Sequence, residues 1–196
     1  MTYIIILNYN GWKDTIECLN SLSCIQEDCK IVLIDNKSTD DSIDKLEKWI
    51  QNQKELSSNL IFIKSSENNG YAAGNNIGIK YVESQEDAQF IWILNNDTLI
   101  QEDTFKNLIN CYKNLENENI ALLGSKILNE DLTIQSVGFT TKQYSQKEIE
   151  VLSNVEVEHI SGCSVFFRVK KIKEIGYIPE EYFLYYEETD WMKHIK

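Results

Sequence analysis

Residues Phe90–Thr98 have the sequence FIWILNNDT, an uncharged apolar run that ends abruptly in two asparagines and an aspartate. A run rich in β-branched and aromatic residues is typical of a fully buried strand. In an open α/β sheet, ligands bind beyond the carboxyl ends of the strands. Asp97 therefore has both the chemistry and the position to hold a divalent cation against a phosphate.

The segments around this stretch alternate between strand-like and helix-like patterns. Apolar runs predict strands at Tyr3–Leu7, Ile31–Ile34, Leu60–Ile63 and Phe90–Leu94. Apolar residues at helical spacing predict helices at Asp14–Leu22, from about Asp41, at Ala73–Val82 and around 105–115. This order predicts an α/β, Rossmann-like fold, with a mostly parallel mixed sheet flanked by helices on both faces.

The second part of the chain is less regular. Strand patterns occur at Ile120–Leu128, Thr133–Phe139, Val155–Ile160 and Ser164–Val169, with a polar connection at 143–154. A short helix is expected to end at Gly176. A helical pattern from Leu184 to Lys196 has no stop signal, so we expect the chain to be truncated at its C-terminus.

Four polar clusters follow the four strands predicted in the first half: Asn8–Gly11, Asp35–Asp40, Asn68–Asn76 and Asn95–Asp97. Because the carboxyl ends of parallel strands meet at one edge, all four clusters are expected along the crevice side of the sheet. One such cluster alone is more typical of a turn or a helix cap. Four clusters on one edge indicate a ligand site.

Two of the clusters have features that suit a nucleotide. Asp35 ends a buried strand and could accept hydrogen bonds from a nucleobase or ribose, although the following residues also suit a helix cap. The glycine-rich segment that contains Gly70 allows close approach of the backbone to a ligand and begins a helix whose N-terminus favours anions. By itself this segment is weak evidence, since it is not the GxGxxG pattern.

An acidic cluster near the end of the sequence, YYEETDW, offers groups for proton transfer. Acids at the start of a helix also interact favourably with its dipole, which alone could explain them. On a helix, Glu187 and Asp190 share a face and Glu188 points elsewhere. The aromatic residues before them are either core residues or a stacking platform for a sugar; they are Tyr182, Phe183, Tyr185 and Tyr186.

The composition excludes several classes of protein. Its 196 residues, 42% hydrophobic, are enough for one core, and the longest apolar runs are too short to span a bilayer. A net charge of −12 excludes nucleic acid as a partner and disfavours an anionic ligand unless a cation mediates. Five cysteines without metal-type spacing and no signal peptide indicate a cytoplasmic protein, whose contact with a membrane would be peripheral.

Taken together, these segments resemble glycosyltransferase family 2 and, within it, the bacterial rhamnosyltransferase-like branch. The resemblance is carried in order by IIILNYNGWKDTIECLNSL, IVLIDNKSTDDS, NNGYAAGNNIGI, ILNNDT, GCSVFFRVKKIKEIG and YFLYYEETDW. It implies a GT-A fold, a nucleotide-diphosphate sugar donor and an Mg²⁺ or Mn²⁺ ion. It also implies a single domain, with a nucleotide-sugar-binding half at 1–115 and an acceptor-side half at 116–196.

The resemblance assigns donor contacts near the nucleobase and ribose. It implies that Asn8 and Tyr9 cradle the nucleobase or ribose, and that Asp35 binds the base with Asn36 beside it. The position of Asn75 is often an arginine near the nucleotide in the family, so asparagine here removes a charge.

The resemblance also assigns the residues around the diphosphate. Asn95 and Asn96 would line the ribose and diphosphate, while Asp97 coordinates the metal. This motif often has two carboxylates and here keeps one, which suits Mg²⁺ held by one or two carboxylates, phosphate oxygens and water.

In the family, the acidic motif usually has Glu-Asp at the positions of Glu187 and Glu188, and the second acid deprotonates the acceptor hydroxyl. The resemblance therefore implies Glu188 as the base, with Glu187 and Asp190 as alternatives. Glutamate in place of aspartate moves the carboxylate by about one C–C bond, and a misplacement of about 1 Å can lower a rate ~10²-fold.

The implied activity is inverting sugar transfer to a saccharide or lipid-linked oligosaccharide of a bacterial surface polysaccharide. A sugar nucleotidyltransferase is an alternative that would release pyrophosphate, although its basic glycine-rich loop after the first strand is absent. A non-catalytic nucleotide-sugar-binding module of a larger synthase is the other, and it would bind the donor without transfer. The sequence leaves the sugar, the nucleotide and the oligomeric state open.

Overall fold

Strands and helices alternate through the first half of the computed structural model, which describes residues 1–25, 29–53, 58–115, 120–139 and 154–193. The strands are β1 (Thr2–Asn8), β2 (Cys29–Asp35), β3 (Leu60–Lys64) and β4 (Phe90–Asn95). The helices between and after them are α1 (Trp12–Ser21), α2 (Ser42–Asn52), α3 (Gly70–Glu83) and α4 (Thr104–Asn114). The strands and helices predicted for this half are therefore confirmed.

The second half adds short strands and two helices. The strands are β5 (Leu123–Gly124), β6 (Ile127–Leu128), β7 (Ile134–Ser136) and β8 (Ser164–Arg168). The helices are α5 (Ile172–Ile175), which is followed by Gly176 with a φ of +72°, and α6 (Glu187–Lys193). The helix end predicted at Gly176 is confirmed, since glycine adopts this left-handed conformation without steric cost.

One six-stranded sheet, in the order β3-β2-β1-β4-β8-β5, forms the centre of the fold. The first four strands are mutually parallel, and β8 runs antiparallel between β4 and β5. The predicted mostly parallel mixed sheet is confirmed. Because β8 pairs with β4 in the opposite direction, the start of β8 lies beside the end of β4, where Leu94 is paired with Ser164.

Alternate residues of the central strands enter two separate apolar layers, one on each face of the sheet. One layer contains Ile5, Ile34 and Ile93 and is covered by α3, α5 and α6. The other contains Ile6 and Trp92 and is covered by α1, α2 and α4. Burial on both faces explains why these strands are continuous apolar runs in the sequence.

Three predictions for the second half need correction. The strand predicted over Ile120–Leu128 is two short strands, since only Leu123–Gly124 pairs with β8. The strand predicted over Val155–Ile160 is an irregular segment with one isolated bridge, between Phe139 and His159. The helix predicted from Leu184 begins at Glu187, because Tyr185 and Tyr186 have φ values of +70° and +74° that a right-handed helix does not allow.

The strands predicted at Thr133–Phe139 and Ser164–Val169 correspond to the shorter β7 and β8. The predicted polar connection at 143–154 and the helix predicted to reach Lys196 fall partly on residues 143–153 and 194–196, which lie outside the described residues. Within the described part of the chain, no helix combines the length and the apolar character needed to cross a membrane.

Candidate functional site

The predicted polar clusters meet at the carboxyl edge of the sheet and are joined by hydrogen bonds. Asn8 donates from Nδ2 to Oδ2 of Asp35 at 2.8 Å, which links the ends of β1 and β2. Thr15 donates from Oγ1 to Oδ1 of Asn8 at 2.8 Å, and Asn96 donates from Nδ2 to Oγ1 of Thr15 at 2.9 Å. The clusters after β1, β2 and β4 therefore form one network, with Thr15 of α1 as a link that the sequence did not single out.

Asp35 is fully buried within this network. Its carboxylate accepts hydrogen bonds from the backbone N–H of Ser38 at 2.8 Å, from the Ser38 hydroxyl at 2.7 Å and from Asn8. A carboxylate has about four acceptor positions, so the protein itself uses most of them. That Asp35 contacts a nucleobase remains a prediction. That Tyr9, whose side chain is exposed, contacts the nucleobase or ribose also remains a prediction.

Two buried amide oxygens near the start of α3 have no hydrogen-bond partner among the described residues. Asn36 donates from Nδ2 to Oδ1 of Asn68 and to the carbonyl of Gly70. Its own Oδ1 accepts no hydrogen bond from the described residues. Asn75 donates to the carbonyl of Tyr71 at 3.0 Å, and its Oδ1 is also without a donor. Buried polar atoms normally have partners, so these two oxygens favour a ligand or water that donates to them.

Asp97 is exposed just beyond the end of β4. Two residues earlier, the N–H of Asn95 donates to the carbonyl of Cys163 at 2.9 Å, so the end of β4 lies beside the turn that precedes β8. Burial, with a smaller contribution from the charge of Asp97, raises the pKa of the Cys163 thiol. No group of three or more histidine, cysteine, aspartate or glutamate residues in the described ranges could hold a metal ion. One exposed carboxylate nevertheless fits Mg²⁺ or Mn²⁺ when phosphate oxygens and water complete the coordination shell.

The acidic cluster begins α6, and its members differ in accessibility. Glu187 is 3% exposed, its Oε2 has no hydrogen-bond partner among the described residues, and burial raises its pKa. Glu188 is half-buried, and its side chain packs against Gly162, where a Cβ atom would lie 3.4 Å from Cγ of Glu188. Asp190 is half-buried as well. Glu188 is therefore more accessible to a substrate than Glu187.

Tyr71 lies close to both acidic sites, a placement that nothing in its sequence context predicts. Burial raises the pKa of its hydroxyl, and the charges of Glu187 and Glu188, with a smaller contribution from Asp97, raise it further. The Tyr71 hydroxyl donates to the carbonyl of Gly162, against which Glu188 packs, and the next carbonyl, that of Cys163, accepts from the N–H of Asn95 at the end of β4. The end of β4 and the start of α6 therefore meet at one turn.

The close backbone approach predicted at Gly70 is made by the chain itself. Gly70 has a φ of +90°, and a Cβ atom there would lie 2.0 Å from the carbonyl oxygen of Phe183. The same carbonyl accepts a hydrogen bond from the N–H of Tyr71 at 3.0 Å. This contact fixes the segment before α6 over the start of α3.

Four consecutive apolar side chains of that segment project into solvent, with exposed fractions between 52% and 73%; they are Phe183, Leu184, Tyr185 and Tyr186. The alternative that the aromatic residues of this segment belong to the core is therefore wrong for Phe183, Tyr185 and Tyr186. The fourth aromatic residue, Tyr182, is half-buried.

Replacing Gly70 with alanine is expected to destabilise the protein by at least about 2 kcal/mol, because strain at positive φ is added to a collision with backbone. Gly176→Ala is the matched control: φ is +72° there, and nothing lies within 4 Å of the added Cβ. The control should lose only the strain component, about 1–3 kcal/mol, so Gly70→Ala should lose more than Gly176→Ala. Urea unfolding measures both, and equal losses would contradict the proposed role of the Phe183 contact.

The fold is that of the GT-A glycosyltransferases. A mannosyltransferase from Pyrobaculum calidifontis, solved in complex with GDP-Man and Mn²⁺, superposes with a TM-score of 0.66 at 16% identity. The superposition covers 92% of this chain and 48% of that one. At this identity the likeness concerns the fold alone.

The family model for glycosyl transferase family 2 matches residues 3–176, and the chain therefore belongs to this family. The low-salt glycan biosynthesis hexosyltransferase Agl10 of Haloferax volcanii is 25% identical over 96% of this chain and 59% of its own length. The minor teichoic acid biosynthesis protein GgaB of Bacillus subtilis is 26% identical over 84% of this chain. The chain spans about three fifths of the first relative and 17% of the second.

Proposed function

We propose that this chain is a metal-dependent glycosyltransferase that moves a hexose-type sugar from a nucleotide-diphosphate donor to a saccharide or lipid-linked acceptor of a surface glycan. The observation that carries the proposal is the single polar edge: hydrogen bonds join the ends of β1, β2 and β4 just before Asp97, and the turn beside Asn95 packs against Glu188. Family membership and the names of the two relatives support the same activity. A rhamnosyl donor is one member of this substrate class.

The donor is proposed to bind along the polar edge, with its nucleoside towards β1 and β2. Asn36 and Asn75 each present a buried oxygen that lacks a donor, which suits ribose hydroxyls or base N–H groups. Asn95 and Asn96 directly precede Asp97 in the chain and would follow the diphosphate. With a net charge of −12, the protein would repel the diphosphate unless a cation is shared between them.

Asp97, with phosphate oxygens and water, would hold the divalent cation. When bound, the cation stabilises the negative charge that develops on the diphosphate as the sugar–phosphate bond breaks. Glu188 accepts the proton of the acceptor hydroxyl, whose oxygen forms the new bond to the anomeric carbon from the side opposite the diphosphate. The products are the inverted glycoside, the nucleoside diphosphate and a protonated Glu188 that returns its proton to solvent.

The exposed aromatic segment before α6 is proposed as the platform for the acceptor. Aromatic faces stack on the apolar faces of sugar rings, and Phe183 and Tyr186 flank the chain just before Glu187 and Glu188. A lipid-linked acceptor on this platform would bring the protein into peripheral contact with a membrane.

A thermal-shift measurement with GDP-Man and UDP-GlcNAc, each with and without Mn²⁺, tests the donor site. We expect at least one nucleotide sugar to raise the Tm only when Mn²⁺ is present, since a ligand at about 100 times its Kd stabilises by ~2.7 kcal/mol. Release of the nucleoside diphosphate, and not pyrophosphate, would then identify glycosyl transfer. If no nucleotide sugar gives a shift that depends on Mn²⁺, the proposal is wrong.

A further inference from the structure

The turn that precedes β8 lies between the two acidic sites and is held from both sides. The backbone N–H of Asn95, at the end of β4, donates to the carbonyl of Cys163 at 2.9 Å. Glu188 packs its Cγ against the α-carbon face of Gly162 in the same turn. The turn closes on itself through a hydrogen bond from the N–H of Ser164 to the carbonyl of Ser161 at 3.3 Å.

One side chain from another part of the sheet reaches this turn. Tyr71, in the first turn of α3, donates its hydroxyl hydrogen to the carbonyl of Gly162 at 2.7 Å. The residues are 91 positions apart, so the bond joins the nucleotide side of the fold to the segment against which Glu188 packs. The backbone of Tyr71 is itself held in place, because its N–H donates to the carbonyl of Phe183 just before α6.

We propose that the Tyr71 hydroxyl is a positioning group that fixes the Gly162 turn and thereby sets the position of the Glu188 carboxylate relative to the donor. The inference rests on the proposed function, because it assigns Tyr71 a part in the same reaction. Tyr71 acts through Gly162 and Glu188 and need not touch the reacting atoms.

The chemistry of the hydroxyl suits this part. Burial and the neighbouring carboxylates raise the pKa of Tyr71, so the phenol keeps its proton and remains a hydrogen-bond donor at neutral pH. A neutral carbonyl accepts that bond without adding a charge among the carboxylates. Phenylalanine would keep the ring packing and remove only the bond, which leaves the Gly162 carbonyl without this donor.

The test compares Tyr71→Phe with the matched variant Tyr112→Phe. Tyr112 is buried in the opposite apolar layer, and its hydroxyl also donates to a backbone carbonyl, that of Ile120, at 3.1 Å. Both variants lose one phenol-to-carbonyl bond, but only Tyr71 is beside the acids. The rate of nucleoside diphosphate release is measured at saturating UDP-GlcNAc or GDP-Man with Mn²⁺ and water as acceptor, together with the donor KM.

We expect Tyr71→Phe to lower the saturated rate between about 10- and 100-fold, as a displaced catalytic group does, with the donor KM unchanged within twofold. Tyr112→Phe should leave both quantities unchanged even if its Tm falls equally. A rate for Tyr71→Phe that matches the rate for Tyr112→Phe, or a raised KM with an unchanged saturated rate, would overturn the inference.

Hydrogen exchange gives a second readout that needs no substrate. In Tyr71→Phe, the amides of residues 161–164 and 187–193 should exchange faster than in the wild type and in Tyr112→Phe. Unchanged exchange in both segments overturns the inference. A wild type that binds and cleaves no nucleotide sugar defeats the proposed function instead, and the exchange result then decides the positioning contact alone.

Discussion

Asp97→Ala is expected to abolish the Mn²⁺-dependent part of the Tm rise that a nucleotide sugar produces. Asp97 is an exposed carboxylate two residues beyond the end of β4, and the described residues offer no cluster of acids, histidines or cysteines to replace it. With this ligand removed, the cation is left with water and phosphate oxygens, and nothing ties it to the protein. The rate of nucleoside diphosphate release should fall about 10²- to 10³-fold, which is typical for losing one group that stabilises developing charge.

Two further variants separate metal binding from general charge effects. Asp97→Asn keeps the shape of the side chain and removes its charge, so it should behave like Asp97→Ala. Asp103→Asn removes another exposed aspartate from the same connection between β4 and α4 and should leave the Mn²⁺ dependence intact. A Mn²⁺-dependent shift that survives in Asp97→Ala would place the cation elsewhere or show that the donor binds without one.

The position of Asp97 could be predicted because local pattern and general topology are sufficient for it. A buried parallel strand is a continuous apolar run, and the first polar residue after such a run marks the carboxyl edge. The same reasoning placed Asn8 and Asp35 at that edge, and the hydrogen bond between them agrees with it. For Asp35 the sequence could not show that its acceptor positions are used by Ser38, since that depends on the conformation of the following turn.

The contacts between the two halves of the chain could not be predicted, because they join residues far apart in sequence. Nothing local distinguishes Asn76 from its neighbours, yet it is fully buried. Its side-chain amide donates to the carbonyl of Ile178 and accepts from the N–H of the same residue. The bond from Tyr71 to Gly162 is equally non-local. The left-handed conformations of Tyr185 and Tyr186 also contradict local preference, since residues other than glycine rarely adopt them. Strain of this kind concentrates at functional sites.

The burial of Glu187 has a consequence for the acidic motif as a whole. Sequence spacing alone left three acids open as the base, whereas the fold leaves Glu188 and Asp190 partly accessible and encloses Glu187. Burial raises the pKa of Glu187. The free energy of unfolding therefore falls as the pH rises from the usual carboxyl pKa to the raised pKa, because the buried group must ionise. Glutamine avoids that cost, so Glu187→Gln should fold at least as stably as the wild type at neutral pH.

Glu188→Gln is expected to keep donor binding and to lose transfer. The amide has nearly the same shape and still packs against Gly162, so the Mn²⁺-dependent Tm shift should match that of the wild type. It cannot accept the acceptor proton, and removal of a general base lowers rates by about 10²- to 10⁴-fold. Thermal shift and nucleoside diphosphate release, measured on the same preparation, check the two halves of this expectation.

The two alternative acids are tested by the same isosteric change. Glu187→Gln and Asp190→Asn should each lower release much less than Glu188→Gln, because only Glu188 combines accessibility with the contact to the turn that Tyr71 and Asn95 hold. If release survives in Glu188→Gln and is lost in Asp190→Asn, the base is Asp190. If all three variants bind donor and the wild type itself releases no nucleoside diphosphate, the chain is a donor-binding module, and the glutamate at position 188 would be the first residue to replace with aspartate.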